Sequence, residues 1–207
     1  LKGDLSIIPG SASAYGTGPN NDTLGWSRSA IYIDETSKKS RGGTVILNSM
    51  PGARVTLDSY QCGIWQALPA IMKNNTETKL IFTTEDSSNP GTIIARPSFK
   101  TGVHGSVAIG AYGHGALGFI TSSYTVGNIE FASGNIEAYG RVDGPGIGAY
   151  EYSHIGEIKF TGAHVISKAG NFGNKHTMVG AAGIGTCYRG NIDKISISGG
   201  YVEAWGM

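Results

Sequence analysis

The chain has 207 residues and a formal net charge of +1, with charged residues at only 15%, so it offers no basic footprint for nucleic acid and lacks the charge of a disordered chain. Its 33 glycines are about twice the usual share but follow no Gly-X-Y period, which excludes collagen. No apolar run approaches the roughly 20 residues of a membrane-spanning helix. No signal peptide is visible and the chain opens at Leu1, so it reads as a processed or excised piece of something longer.

Residues 1–43 are irregular and are expected to form a cap or uneven first turns. "TVILNSMPGARVTLD" (44–58) is the first regular unit: a short strand, a glycine-containing corner, a second short strand. "IWQALPAIMK" (64–73) has helical residues, but Pro69 interrupts it. "KLIFTTEDSSNPGTIIARP" (79–97) repeats the unit with a longer corner. "VAIGAY" then ends at Tyr112, and "NIEFASGNIEAYG" (128–140) is the unit again. "GPGIGAY" (144–150) precedes the copy "EIKFTGAHVISKAG" (157–170), and "AAGIGTCY" (181–188) precedes "KISISGGYVEAWG" (194–206).

Within each piece apolar residues alternate, as in Ile129 and Phe131 or Ile136 and Ala138, so one face points in and the other out. Three short strands per unit, repeated, describe an all-β fold: a parallel β-helix, or β-solenoid, of about five to six turns in one domain, with repeats over 44–206. Right-handedness follows from the general preference of parallel crossovers. A β-sandwich also has many short strands, but it needs no matching sequence turn after turn. The isoleucines Ile109, Ile147 and Ile184 are 38 and 37 residues apart. The second-strand residues Ile93, Ile136, Val165 and Val202 are 43, 29 and 37 apart, which predicts corner loops of uneven length.

Stacked turns predict columns. Ile93, Ile136, Val165 and Val202 should form an inward column. Three residues on, with outward parity, come Arg96, Tyr139, Lys168 and Trp205; one residue on come Ile94, Glu137, Ile166 and Glu203. Aromatic faces can stack on sugar rings, with charged groups beside them for hydroxyls. Arg96, Tyr139, Lys168, Trp205, Glu137 and Glu203 are therefore the candidate ligand face. The bland alternative is an aromatic stack that only shields the sheet. Tyr112 and Tyr150, each three residues after its isoleucine, predict a second, outward aromatic edge; at the next turn either Cys187 takes the place or a bulge restores it to Tyr188.

Several other chemistries are weaker. "GPGIG" and "GAAGIG" suit a phosphate loop only if a helix follows, and here a strand-like piece follows. The histidines His104, His114, His154, His164 and His176 form no zinc motif and read as solvated loop residues, although His154 and His164 could meet. Acids are too sparse for a calcium-loaded solenoid. Neither a metal nor another cofactor is expected. Cys62 and Cys187 should lie about three turns apart, too far to bridge, and are read as buried thiols. Glu137 and Glu203, two turns apart at roughly 9.6 Å, fall at the outer edge of the range for an inverting glycosidase. Glu85, Asp86, Glu151 and Glu157 read as loop charges. Catalysis is not expected.

At "GPGIGAY", "GAAGIG" and "ISISGGYVEAWG" the chain resembles the glycine-rich β-helix repeats of large surface proteins of Gram-positive and gut bacteria, in which GIG corners alternate with ITISGG-x-V-x-A strands. "SAIYID" and "CGIWQA" look like the less regular first turns of such arrays. The likeness covers about residues 30–206 and is strongest from 105. It implies an extracellular, cell-surface, adhesin-like or carbohydrate-binding module, whose partner would be a glycan or a host or cell-surface ligand; it transfers no catalytic motif. The chain departs from the pattern in carrying bulky Tyr, His and Glu at corners. A stalk or fibre subunit is the alternative, because Met207 follows a regular strand without a polar cap. Such an end should meet more protein, either further chain or a neighbouring copy. A polysaccharide-cleaving enzyme is a third reading.

Overall fold

Alternating apolar pieces become short strands, and most of them pair in parallel with the equivalent strands of neighbouring rounds. A computed structural model describes residues 5–7, 31–34, 43–58, 71–74, 78–97, 107–112, 114–116, 119–122, 125–141, 143–150, 152–170, 180–187 and 189–207. After β1 (Leu5–Ile7) the first round holds β2 (Ile31–Asp34), β3 (Gly43–Ser49) and β4 (Arg54–Asp58). The second holds β5 (Ile71–Asn74), β6 (Thr78–Thr84) and β7 (Thr92–Arg96). The third holds β8 (Ile109–Tyr112), a hairpin of β9 (His114–Ala116) and β10 (Phe119–Ser122), then β11 (Thr125–Val126), β12 (Ile129–Phe131) and β13 (Asn135–Tyr139). The fourth holds β14 (Ile147–Tyr150), β15 (His154–Phe160) and β16 (His164–Lys168). The fifth holds β17 (Ile184–Cys187), β18 (Asn191–Ile197) and β19 (Tyr201–Trp205).

The fold is all-β, with three parallel sheets and no helix among the described residues. Sheet A has the order β1-β4-β7-β13-β16-β19 and sheet B the order β17-β14-β8-β5-β2. Sheet C contains β3, β6, β12, β15 and β18, with β11 also against β15. Every round visits B, C and A in that order. The arrangement is consistent with a solenoid. The uneven spacing has a visible cause: the β9–β10 hairpin lengthens the third round, and only short connections separate β14, β15 and β16 in the fourth. Ile71–Asn74, the end of the 64–73 stretch, is strand β5; 64–70 lie outside the described residues.

Ile93, Ile136, Val165 and Val202 stack in register as expected, preceded by Val55. Ile109, Ile147 and Ile184 form the equivalent column of sheet B. In sheet C, Leu47, Phe82, Phe131, Phe160 and Ile197 align. The three phenyl rings stack at 4.7 and 5.0 Å, nearly parallel, and all three are fully buried. Strand spacing of about 4.8 Å matches the optimum for offset aromatic stacking, so one geometry satisfies backbone and rings together. The fifth round breaks this burial. Ile158 and Phe160 are fully buried, whereas their partners Ile195 and Ile197 are 45% and 63% exposed.

Sheet B carries a column of glycines. Gly110, Gly148 and Gly185 have φ of 145°, 149° and 150°. A Cβ at Gly110 would stand 2.0 Å from the Gly148 carbonyl oxygen, and one at Gly148 would stand 1.8 Å from that of Gly185. No side chain fits, and this φ is itself nearly exclusive to glycine. Gly148→Ala is expected to cost more than about 2 kcal/mol of unfolding free energy, from backbone strain of about 1–3 kcal/mol plus the clash. Urea denaturation measures this; a loss below about 0.5 kcal/mol contradicts the column.

Candidate ligand-binding face

The outer face of sheet A is built by parity. Val55, Ile93, Ile136 and Val165 point into the core, so their sequence neighbours point out. The pairing then aligns three outward columns. One runs Arg54, Thr92, Asn135, His164, Tyr201. The middle one runs Thr56, Ile94, Glu137, Ile166, Glu203. The third brings Asp58 beside Arg96, and Lys168 between Tyr139 and Trp205. Ala95 opposite Ala138 sets Arg96 next to Tyr139. The expected candidates Arg96, Tyr139, Lys168, Trp205, Glu137 and Glu203 thus share one face, and Glu137 and Glu203 are two strands apart.

They do not form one uniform row. Arg96 donates through two nitrogens to Asp58, each at 2.8 Å, and this bond holds its guanidinium pKa above the usual value against the effect of burial. Tyr139 OH donates to Glu137 at 2.9 Å, and Arg54 lies 3.8 Å from the same carboxylate. Burial, then that bond, pushes the Tyr139 phenol up. These earlier strands are therefore occupied with one another.

The last two strands differ. Tyr201 OH donates to one oxygen of Glu203 at 3.1 Å, and the Trp205 indole N–H donates to the other. One carboxylate so fixes two aromatic side chains, and it raises the Tyr201 pKa. Both residues remain 56% exposed. The His164 ring packs edge-on against Tyr201, with centroids 4.8 Å apart, and the Lys168 ammonium lies 5.6 Å from the Trp205 ring centre. Tyr201, His164 and Asp58 were missed from sequence. The signal for Tyr201 was present: "YVEAW" places Tyr201, Glu203 and Trp205 on one side of a strand at spacing two.

The second aromatic edge does not face out at Tyr150. Tyr150 was expected to face out, but it is 2% exposed and donates to Asp143 at 3.1 Å. All four residues of β14 are buried, so strand parity does not choose a solvent side there. Tyr112 aligns with Tyr150 by backbone register. Cys187 takes the next place in the column; Tyr188 lies outside the described residues. Cys187 is buried, with its Sγ 4.0 Å from the Gly180 carbonyl oxygen. Cys62, His104, His176 and Glu151 also lie outside the described residues.

Glu157, His154 and His164 are not loop residues; they stand on β15 and β16. His154 Nε2 is 2.7 Å from Asp193, while His164 packs against Tyr201, so the two histidines serve different neighbours. Glu85 and Asp86 do sit in a corner, where Glu85 accepts from Asn48 at 3.3 Å and Asp86 from Ser88 at 2.8 Å. Among the described residues no three His, Cys, Asp or Glu side chains gather as a metal set, and no helix is long and apolar enough to cross a membrane. The chain matches no protein-family model, no curated protein and no solved structure.

Sheet C carries an ionic outer face. Lys79 contacts Glu130, and Thr161 donates to Glu130 at 3.1 Å. Lys194 is 3.3 Å from Glu157, and Ser196 donates to Glu157 at 2.7 Å. The Lys79 bond holds the Glu130 carboxyl below its usual range; Ser196, then Lys194, does the same for Glu157. A depressed carboxylate adds stability above its unfolded pKa, about 4.3, and loses it as pH falls through the lower folded value. Thermal unfolding between about pH 5 and pH 2.5 should show a shallower loss of stability in Glu130→Gln than in the wild type. Identical slopes would rule out this contribution.

Proposed function

We propose that the chain is a right-handed parallel β-helix of five turns and an extracellular, adhesin-like module that binds carbohydrate on the outer face of sheet A. The observation that carries this reading is the Tyr201–Glu203–Trp205 group. Large aromatic side chains are usually turned inward or covered. Here two are exposed on one strand, and a shared carboxylate holds them in place, which lowers the entropy lost when a ligand lands on them. Sugar rings present C–H bonds to such faces, and the surrounding polar groups serve their hydroxyls. Glu137 and Glu203 already accept hydrogen bonds from aromatic side chains, which favours binding over cleavage. The resemblance of the repeats to those of bacterial surface proteins supports the same reading.

Trp205→Ala and Tyr201→Ala should each weaken a glycan identified by array screening by about twofold to tenfold, the worth of one aromatic contact. Being exposed, both should leave stability within about 0.5 kcal/mol. No glycan binding at all, or binding untouched by either substitution, contradicts the assignment.

A further inference from the structure

Resting on the carbohydrate reading, we propose that the ligand is an acidic sugar, whose ring lies on Trp205 and whose carboxylate or sulfate is held by Lys168. The argument is one of charge pairing across the face. Arg96 has Asp58 as a two-point partner. Arg54 has Glu137. Glu203, the remaining carboxylate among the described outward residues of sheet A, accepts from the neutral donors Tyr201 and Trp205 instead of from a cation.

Lys168 is thus the one cation of this face whose ammonium forms no ion pair among the described residues. It is exposed, and it stands 5.6 Å from the centre of the Trp205 ring. An ammonium carries three donors and no acceptor, and a contact with an exposed ring face satisfies none of them as an anion would. The neighbouring strand supplies the other half of the site. Trp205 is opposite Lys168 in register, its indole is held by Glu203, and over half of it is open to solvent. A pyranose stacked on that ring would bring an acidic substituent on its edge within reach of Lys168. There the anion gains a charge-assisted hydrogen bond that a neutral sugar cannot make.

The fixed carboxylate of Glu203 gives this site a direction. It disfavours an anion between the two aromatics and leaves the Lys168 side of Trp205 as the favourable place. On the Tyr201 side the neighbour is His164, so that side suits the hydroxyls of an adjoining sugar.

The test compares polymers of one backbone with and without charge: polygalacturonate and its methyl ester, then dextran sulfate and dextran. Titration of the 207-residue chain should show the acidic member of at least one pair binding about fivefold to tenfold tighter at low salt, and most of that preference should vanish at about 0.5 M salt. Lys168→Met should remove the preference, Lys168→Arg should keep it, and Lys159→Met, on the outer face of sheet C, should leave it unchanged. A preference for polygalacturonate alone assigns the carboxylate, and one for dextran sulfate alone the sulfate. If acidic and neutral members bind equally, or if Lys168→Met keeps the full preference, the inference fails while carbohydrate binding survives. If no glycan binds, both readings fall together.

Discussion

Everything in this structure depends on parallel backbone pairing in a fixed register. Once Ile93 stands opposite Ile136, and Ile136 opposite Val165, each residue of sheet A has a determined neighbour about 4.8 Å away on either side. The same repeat stacks Phe82, Phe131 and Phe160 in sheet C and Ile109, Ile147 and Ile184 in sheet B. A slip of one residue would exchange core and solvent faces along a whole strand. The glycine column guards against that slip locally, because Gly110 and Gly148 stand where a carbonyl oxygen of the next strand leaves no room for Cβ.

Register also turns separate residues into a surface. Arg96 and Asp58 are 38 residues apart in sequence, yet adjacent strands give them a two-point ion pair. Lys168 and Trp205 meet in the same way. The face is graded along its length: pairing between side chains occupies the earlier strands, and the last strand presents two exposed aromatic residues on a shared carboxylate, flanked by His164 and Lys168 of the strand before it. That gradient, more than the presence of aromatic residues, makes the final strands the favoured place for a ligand in the reading proposed here.

Much of this was legible in the sequence because inward positions are chemically uniform. Isoleucine, valine and phenylalanine recurring after similar intervals mark both strands and columns, and the structure pairs them as expected. Outward parity worked for Tyr139, Lys168 and Trp205 for the same reason. It failed at Tyr150, since β14 is buried along its whole length and its phenol finds Asp143 instead of water. Parity assumes one dry face and one wet face, and no residue pattern within "IGAY" announces a second dry face. Tyr201 precedes the inward Val202 on its strand, so columns counted onward from the inward residues do not include it. Glu157 stands at the first position of its repeat unit and so looks like the edge of a loop, but the strand begins three residues earlier, at His154.

The most direct test is of the register that assembles the face. Ile166 stands opposite Glu203, with both side chains on the outer side of sheet A. Ile166→Cys combined with Glu203→Cys places two thiols on adjacent strands about 4.8 Å apart, within disulfide reach. Ile166→Cys combined with Trp205→Cys offsets them by two residues, to roughly 8 Å, beyond it. Mass spectrometry after mild oxidation should find an intramolecular bridge in the first variant and little in the second. A bridge formed preferentially in the offset variant would contradict the register, and with it the face.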